Sequence, residues 1–475
     1  MPPLRPDPIG VDEYYRDAAV RARILEQCGA RAGHAATAAF VAGLHGGQGV
    51  LPEWDRASHV PPEQLESLWS QHADIARSLW DRQHLLFFLE LDYQNIDAPA
   101  EPFRHPADVF LKLEPAYHAA NTVFSSLSIP MRAVATGRGY HFLGQVSLDD
   151  PLVESLAAII PNTPAWYAGV ESRRPSGVVA TMSERHARAA EGLGCLIEYA
   201  AHLILRRADD GGLPLVVNGT VVGNAGLTGR ECVSIDFSHV GDPLDARHVR
   251  TAFSTYQWHQ LRPDIFGADT ARRAPSVAAL PRPRRSLIGW LARGRDLAAA
   301  RQAAHHTHSE LPDIAAGMRA LLDRYTTSPL AAFHRAFYRE LSTGPRCAAP
   351  PRVPDLPPCI SACLERPNDL LLKPEHLQHL VRGLTSGGWS AGEIVGLVRS
   401  TYEADHNWGD RWTTRMDPQT RAEFEVRVFA GLLATGVDTL VDFNCVSAQE
   451  KGICPGTGCG HDLRVDRDRL VTALT

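Results

Sequence analysis

Lysine is almost missing from this chain: of 48 basic residues only Lys112, Lys373 and Lys451 are lysines, the rest arginine. None of the three sits in a G-x-x-x-x-G-K-[ST] context, which excludes a Walker-type ATPase motor. No apolar run approaches the ~18 residues of a membrane span. The opening MPPLRPDPIG carries no basic-then-apolar signal, so the expected location is cytoplasmic, with no membrane partner. There is no C-x-x-C pair, no internal repeat and no extended low-complexity tract. An excess of positive charge is lacking as well. The net charge of −6 gives no support to a nucleic-acid partner and does not exclude one, because binding follows local basic patches.

What is present is a folded chain of 475 residues, 44% apolar, long enough for two or three domains. Its nine cysteines are unevenly placed. Cys28, Cys195 and Cys232 are scattered, whereas Cys347, Cys359, Cys363, Cys445, Cys454 and Cys459 crowd the last 130 residues. An odd total argues against a disulfide framework and towards buried thiols plus a metal site.

The organising stretch is residues 85–92, LLFFLELD. Five apolar residues running into Glu90-Leu91-Asp92 read as a buried strand. Alternation puts Glu90 and Asp92 on one face, with Cα atoms about 6.6 Å apart, so both carboxylates can converge on one or two cations. Adjacent acids repel unless a cation neutralises them. A strand end emerging into solvent would leave the same pair.

Around it the pattern is mixed α+β. Residues 9–45 are Ala-rich and helical in pattern. Residues 62–80 predict an amphipathic helix through Leu65, Leu68, His72, Ile75 and Leu79. Pro106 opens a helix that Pro130 ends. Residues 132–146 read as two short strands joined by Thr136-Gly137-Arg138-Gly139, where glycines permit close approach to a phosphate and Arg138 and His141 add donors. Taken in isolation, a Gly-Arg-Gly turn is common and reads better as a plain hairpin. Residues 183–207 are helical, and 215–222 form a hairpin on Asn218-Gly219. Residues 231–238 are a strand whose Asp236 is costly unless paired or bound to metal. Arg250 and His259 follow as further phosphate donors.

Residues 268–310 read as an exposed Arg/Pro connector, with His305, His306 and His308 a surface cluster, and Pro-rich 348–358 as a second boundary. Beyond it come helices: an apolar stripe at Leu377, Leu380, Val381 and Leu384, a capping box at Ser390 and Glu393, and residues 421–433. The expected division is an N-terminal helical region 1–80, a catalytic domain 81–267, connector and helices 268–350, and a helical metal-binding domain 351–475.

Three elements in this order, Glu90-Leu-Asp92, Thr136-Gly-Arg-Gly-Tyr-His141 and Ser234-Ile-Asp236, resemble the catalytic core of archaeo-eukaryotic primases across roughly residues 80–265. The first acid is Glu where the family commonly has Asp. The resemblance implies a palm domain with an RRM-like sheet. In it Glu90, Asp92 and Asp236 would hold two Mg²⁺ or Mn²⁺ ions. Thr136, Gly137, Arg138, Gly139, His141, Arg250 and His259 would bind the incoming nucleoside triphosphate. Separately, the Cys359 segment and the late Cys445, Cys454 and Cys459 resemble the iron–sulfur domain of the primase large subunit, with one cysteine early and three late. This implies a [4Fe–4S] cluster on those four thiolates. A zinc site on the three late cysteines and His461 is the alternative, and Cys363 is a possible substitute ligand. Together the two resemblances imply a single-chain DNA primase or primase-polymerase that acts on single-stranded DNA, its template unwound by a separate helicase. A gap-filling repair or translesion polymerase, and a non-catalytic nucleic-acid scaffold, are the competing readings.

Overall fold

The computed structural model describes residues 9–31, 33–44, 57–173, 181–208, 212–218, 231–241, 248–283, 287–343, 356–367, 373–404, 406, 417–456 and 458–474. The run at 85–92 lies in a twelve-residue strand, β1 (His84–Asn95), at the heart of a six-stranded sheet. Its companions are β2 (Arg132–Ala135), β3 (Gly139–Ser147), β4 (Leu215–Val217), β5 (Glu231–Asp236) and β6 (Leu280–Pro281), in the spatial order β6-β2-β3-β1-β5-β4. All neighbours are antiparallel except β4 and β5. Five consecutive buried residues, Leu85 to Leu89, suit a strand covered on both faces; along this stretch β1 pairs with β3, and β5 takes up its other edge from Glu90 onward.

Two long helices connect these strands: α1 (Pro106–Ser126), between β1 and β2, and α2 (Glu184–Arg207), between β3 and β4. Both begin as their sequences predict, α1 on Pro106 and α2 on Ser183, whose hydroxyl accepts from the His186 N–H. They pack against each other and against β1. The face under α1 is aromatic: Phe87 meets Phe124 at 5.7 Å and Tyr140 meets Phe110 at 5.3 Å, both near perpendicular. Alternation leaves Phe88, Glu90 and Asp92 on the opposite face.

The structure corrects three expectations. The helix predicted over 62–80 stops at Ser70; His72 turns into the left-handed region (φ 56°), and Asp74–Arg77 is a strand of a smaller four-stranded sheet. Leu65 and Leu68 face the core from the helix but Ile75 does so from the strand, so the 3.6-residue spacing ran through two elements. Residues 9–45 likewise end in a strand, Val41–Leu44, after two helices. The Arg/Pro connector is not exposed throughout: residues 276–281 are buried, Leu280–Pro281 forms edge strand β6, and Arg282 lies 3.6 Å from the Tyr117 ring centroid while pairing with Glu114 at 2.6 Å. A proline fits there because an edge strand leaves one N–H side unused. The second arm of the predicted 215–222 hairpin lies outside the described residues; its first arm is β4.

After α3 (Pro329–Thr343) the C-terminal part is helical: α4 (Pro358–Glu365), α5 (Pro374–Ser386), α6 (Ala391–Glu403), α7 (Pro418–Ala434), α8 (Cys445–Glu450) and α9 (Leu463–Leu474). The Ser390–Glu393 capping box is formed, and Leu377, Leu380, Val381 and Leu384 are fully buried. Helix α7 joins this part to the sheet. Its Arg427, 2% exposed, donates to Glu191 (2.5 Å) and Glu198 (3.1 Å) of α2. Among the described residues no helix is long and apolar enough to cross a membrane.

Candidate active site

The three motifs, far apart in sequence, occupy three adjacent strands in register. Glu90 of β1 stands directly between His141 of β3 and Asp236 of β5, and two residues along Asp92 stands between Gly139 and Ser234. Directly opposed residues share a face, so His141, Glu90, Asp236, Asp92 and Ser234 all project to the side away from α1. Each is buried or half-buried. His141 Nε2 lies 3.2 Å from Glu90 Oε1, and its ring meets Phe88 edge-on at 5.0 Å. Asp236 Oδ1 accepts from the N–H and hydroxyl of Ser238, at 2.9 and 2.8 Å.

Electrostatically the acids form one group. Burial pushes the Asp92 carboxyl well above the usual carboxylate range. Arg138 pulls it back, and Glu90 and Asp236 raise it further. Asp92 Oδ2 pairs with Arg138 at 2.5 Å, while its buried Oδ1 has no hydrogen-bond partner among the described residues. Such an orphaned carboxylate oxygen, crowded by two further acids, is the donor chemistry a divalent cation satisfies. As the side chains stand, however, no group of three or more His, Cys, Asp or Glu among the described residues is arranged to hold an ion.

Thr136 to Gly139 make the tight turn between β2 and β3, closed by Thr136 N–H donating to Gly139 C=O at 2.9 Å. Both glycines are required sterically. A Cβ on Gly139 would lie 2.0 Å from the Leu91 carbonyl, and one on Gly137 would lie 2.8 Å from the Tyr256 ring. The turn thereby carries Arg138 to the acids, its guanidinium 5.2 Å from the Trp258 ring centroid.

Arg250 and His259 are placed differently from the expected nucleotide contacts. Arg250 is buried, pairs with Asp74 at 2.9 Å and donates to the Thr255 carbonyl at 2.6 Å. It relates to the turn through Tyr256, whose ring it approaches to 4.4 Å. His259 is fully buried and stacked on Phe103 at 4.2 Å; burial pushes it down to about 4. Both are engaged in packing. Two side chains near the acids went unnoticed in the sequence. Trp258 sits beside Arg138, and His239, in the turn after Asp236, has its ring 4.9 Å from Phe88. Position next to the motifs was the only signal for either.

The late cysteines form a second gathering. Cys359 is buried in the first turn of α4, Cys445 opens α8, and Cys454 and Cys459 lie on a loop with left-handed glycines at 452, 458 and 460. Burial, then Cys454, with Cys445 and Cys459 behind it, pushes the Cys359 thiol up to about 12. All three late cysteines therefore bear on the early one across the helical part. Four cysteines drawn from both ends of this part are donors of the type a thiophilic metal centre takes, though as the side chains stand they are not arranged to hold an ion. Cys363, one turn along α4, directs its thiol to the carbonyls of Cys359 (3.5 Å) and His376 (3.8 Å). His461 is exposed, and its carbonyl accepts from Cys459. Cys347 lies outside the described residues.

No family model matches the chain, and no match to it is found among curated proteins or solved structures.

Proposed function

We propose that the chain is a single-chain DNA primase or primase-polymerase of the archaeo-eukaryotic type, joining nucleoside triphosphates on single-stranded DNA. The observation that carries this is the register of the three motifs, which sets Glu90, Asp92, His141 and Asp236 on one face of three neighbouring strands. The principal order β1-α1-β2-β3-α2-β5, with β5-β1-β3-β2 as spatial order, supports the finer reading of an RRM-like palm.

Glu90, Asp92 and Asp236 would hold two Mg²⁺ or Mn²⁺ ions, which when bound supply Lewis-acid activation of the attacking hydroxyl and charge neutralisation on the triphosphate. The residues do the rest. The orphaned Asp92 oxygen and the paired acids set where positive charge gathers. Arg138, on its glycine-flanked turn, offers a planar fork of donors to phosphate oxygens. His141, tied to Glu90, adds a donor beside it. The C-terminal part would assist initiation, with Cys359, Cys445, Cys454 and Cys459 holding a [4Fe–4S] cluster or Zn²⁺. Without a motor of its own, the protein takes unwound template from a separate helicase.

The test is incubation with unprimed single-stranded DNA, ribo- or deoxyribonucleoside triphosphates and Mg²⁺ or Mn²⁺, beside Asp92→Asn and Asp236→Asn. Short products made de novo by the wild type alone are expected. Extension only of supplied primers would make it a repair or translesion polymerase. No synthesis under either condition would make it a nucleic-acid-binding scaffold.

A further inference from the structure

The acid strand β5 ends in a tight turn gripped from two sides. Asp236 takes its direction from Ser238, which opens a short 3₁₀ turn, Ser238–Val240. That turn is closed by Val240 N–H donating to Phe237 C=O (3.0 Å) and Gly241 N–H to Ser238 C=O (3.1 Å). On one side α2 presses on it so closely that a Cβ at Gly194 would lie 2.1 Å from Val240 Cγ1. On the other side stands Phe424 of α7. A Cβ at Gly241 would lie 2.5 Å from Phe424 Cγ, and Phe237 meets the Phe424 ring edge-on at 6.2 Å. One helical turn along, Arg427 ties α7 to Glu191 and Glu198 of α2, which completes the clamp.

We propose that Phe424 is a positioning residue for Asp236: a side chain of the C-terminal helical part that sets the orientation of a sheet carboxylate without touching it. The inference rests on reading Glu90, Asp92 and Asp236 as cation ligands. The physical ground is that packed interiors have no slack. Phe424 is 6% exposed and fills the space beside Phe237 and Gly241, so removing its ring frees the segment that aims Asp236. A metal ligand whose support is loosened binds more weakly even though the ligand itself remains.

The experiment measures Mn²⁺ alone binding to the full chain, from the free-ion electron paramagnetic resonance signal, with thermal unfolding recorded in parallel. Phe424→Ala is expected to weaken binding about tenfold, in the range for lost second-layer support of a metal site. Phe424→Leu, which refills most of the space, should restore most of it. Gly241→Ala strains the same contact without opening a cavity and should weaken binding likewise; it carries the test if Phe424→Ala fails to fold. Folded Phe424→Ala and Gly241→Ala proteins that bind Mn²⁺ as tightly as the wild type, merely melting earlier, would overturn the proposal and leave Phe424 a packing residue. Asp236→Asn separates the other failure. If it binds Mn²⁺ as the wild type does, the acid reading itself is wrong and the proposal falls with it.

Discussion

Replacing Arg427 with methionine keeps most of the side chain's volume and removes its charge from a site with almost no access to water. Arg427 is 2% exposed, its Nη1 donates to Glu191 (2.5 Å) and the Tyr338 hydroxyl (2.6 Å), and its Nε donates to Glu198 (3.1 Å). Breaking a buried pair by removing one partner costs about 3–5 kcal/mol, because the remaining charge stays buried. Here the remaining groups are partly provided for. Glu191 keeps the Trp166 Nε1–H and Tyr338 hydroxyl, both at 3.1 Å, and Glu198 keeps His334 at 3.3 Å. The expected loss therefore sits at the low end, about 3 kcal/mol. It is read by urea unfolding of Arg427→Met, Glu198→Gln and the double variant, where the double should cost less than the sum. The same cluster predicts a pH dependence. Burial opposes the charge on His334, but Glu198 outweighs it and raises the group to about 9. A histidine raised above its ordinary ~6.5 contributes stability that is complete below that pH and lost as pH rises through about 9. In Arg427→Met, His334 is left as the charged partner seen on Glu198 and is held more strongly in its protonated form, so the alkaline loss should be larger and extend to higher pH. A variant within about 0.5 kcal/mol of the wild type at neutral pH, with an unchanged alkaline limb, would refute the reasoning.

Three further outcomes are expected. Arg138→Ala and His141→Ala should weaken triphosphate binding by roughly 10- to 150-fold, the value of a charge-assisted hydrogen bond of about 1.5–3 kcal/mol; wild-type binding in a titration with labelled nucleotide would reduce the Gly137–Gly139 segment to a hairpin turn. Cys359→Ser should lose bound metal as fully as Cys454→Ser whereas Cys363→Ser retains it, measured by iron, sulfide and zinc analysis after anaerobic purification; stoichiometric zinc kept by Cys359→Ser would hand the fourth position to His461. Gly139→Ala would place a methyl 2.0 Å from a backbone carbonyl that cannot swing away, so the sheet should lose about 1–3 kcal/mol or more, visible as a lower unfolding midpoint.

The central strand was legible because its signal is chemical and local: an apolar run with charge at one end admits few placements. Helices α1 and α2 were legible for the same reason, each opened by a residue whose preference is mechanistic, Pro106 and Ser183. The region around Ile75 was not. Its apolar spacing fitted a helix, and what decides otherwise is pairing with Val41–Leu44 and Val249–Arg250, which no local pattern reveals. For the site, the motifs could be seen individually, but their register could not, since β1 pairs with strands about 50 and 145 residues away. Arg250 and His259 show the converse limit. A cation or an imidazole that follows an acid-bearing strand reads as a phosphate donor in a string of letters, while Asp74 and Phe103 engage them in three dimensions.

The edge strand β6 has a consequence for how the molecule comes into being. Strands β1 and β3 can pair once about 147 residues have been made, yet the row of acids stays incomplete until β5 emerges. The sheet's outer margin then waits for Leu280–Pro281, and α7 arrives only after residue 418. A nascent chain thus spends much of its synthesis with the margin of β2 open, a template for illegitimate strand addition. An expression fragment intended to carry the sheet alone should therefore run through Arg282, whose contact with Tyr117 and Glu114 fastens that margin, rather than stop after Asp236 where the motifs end.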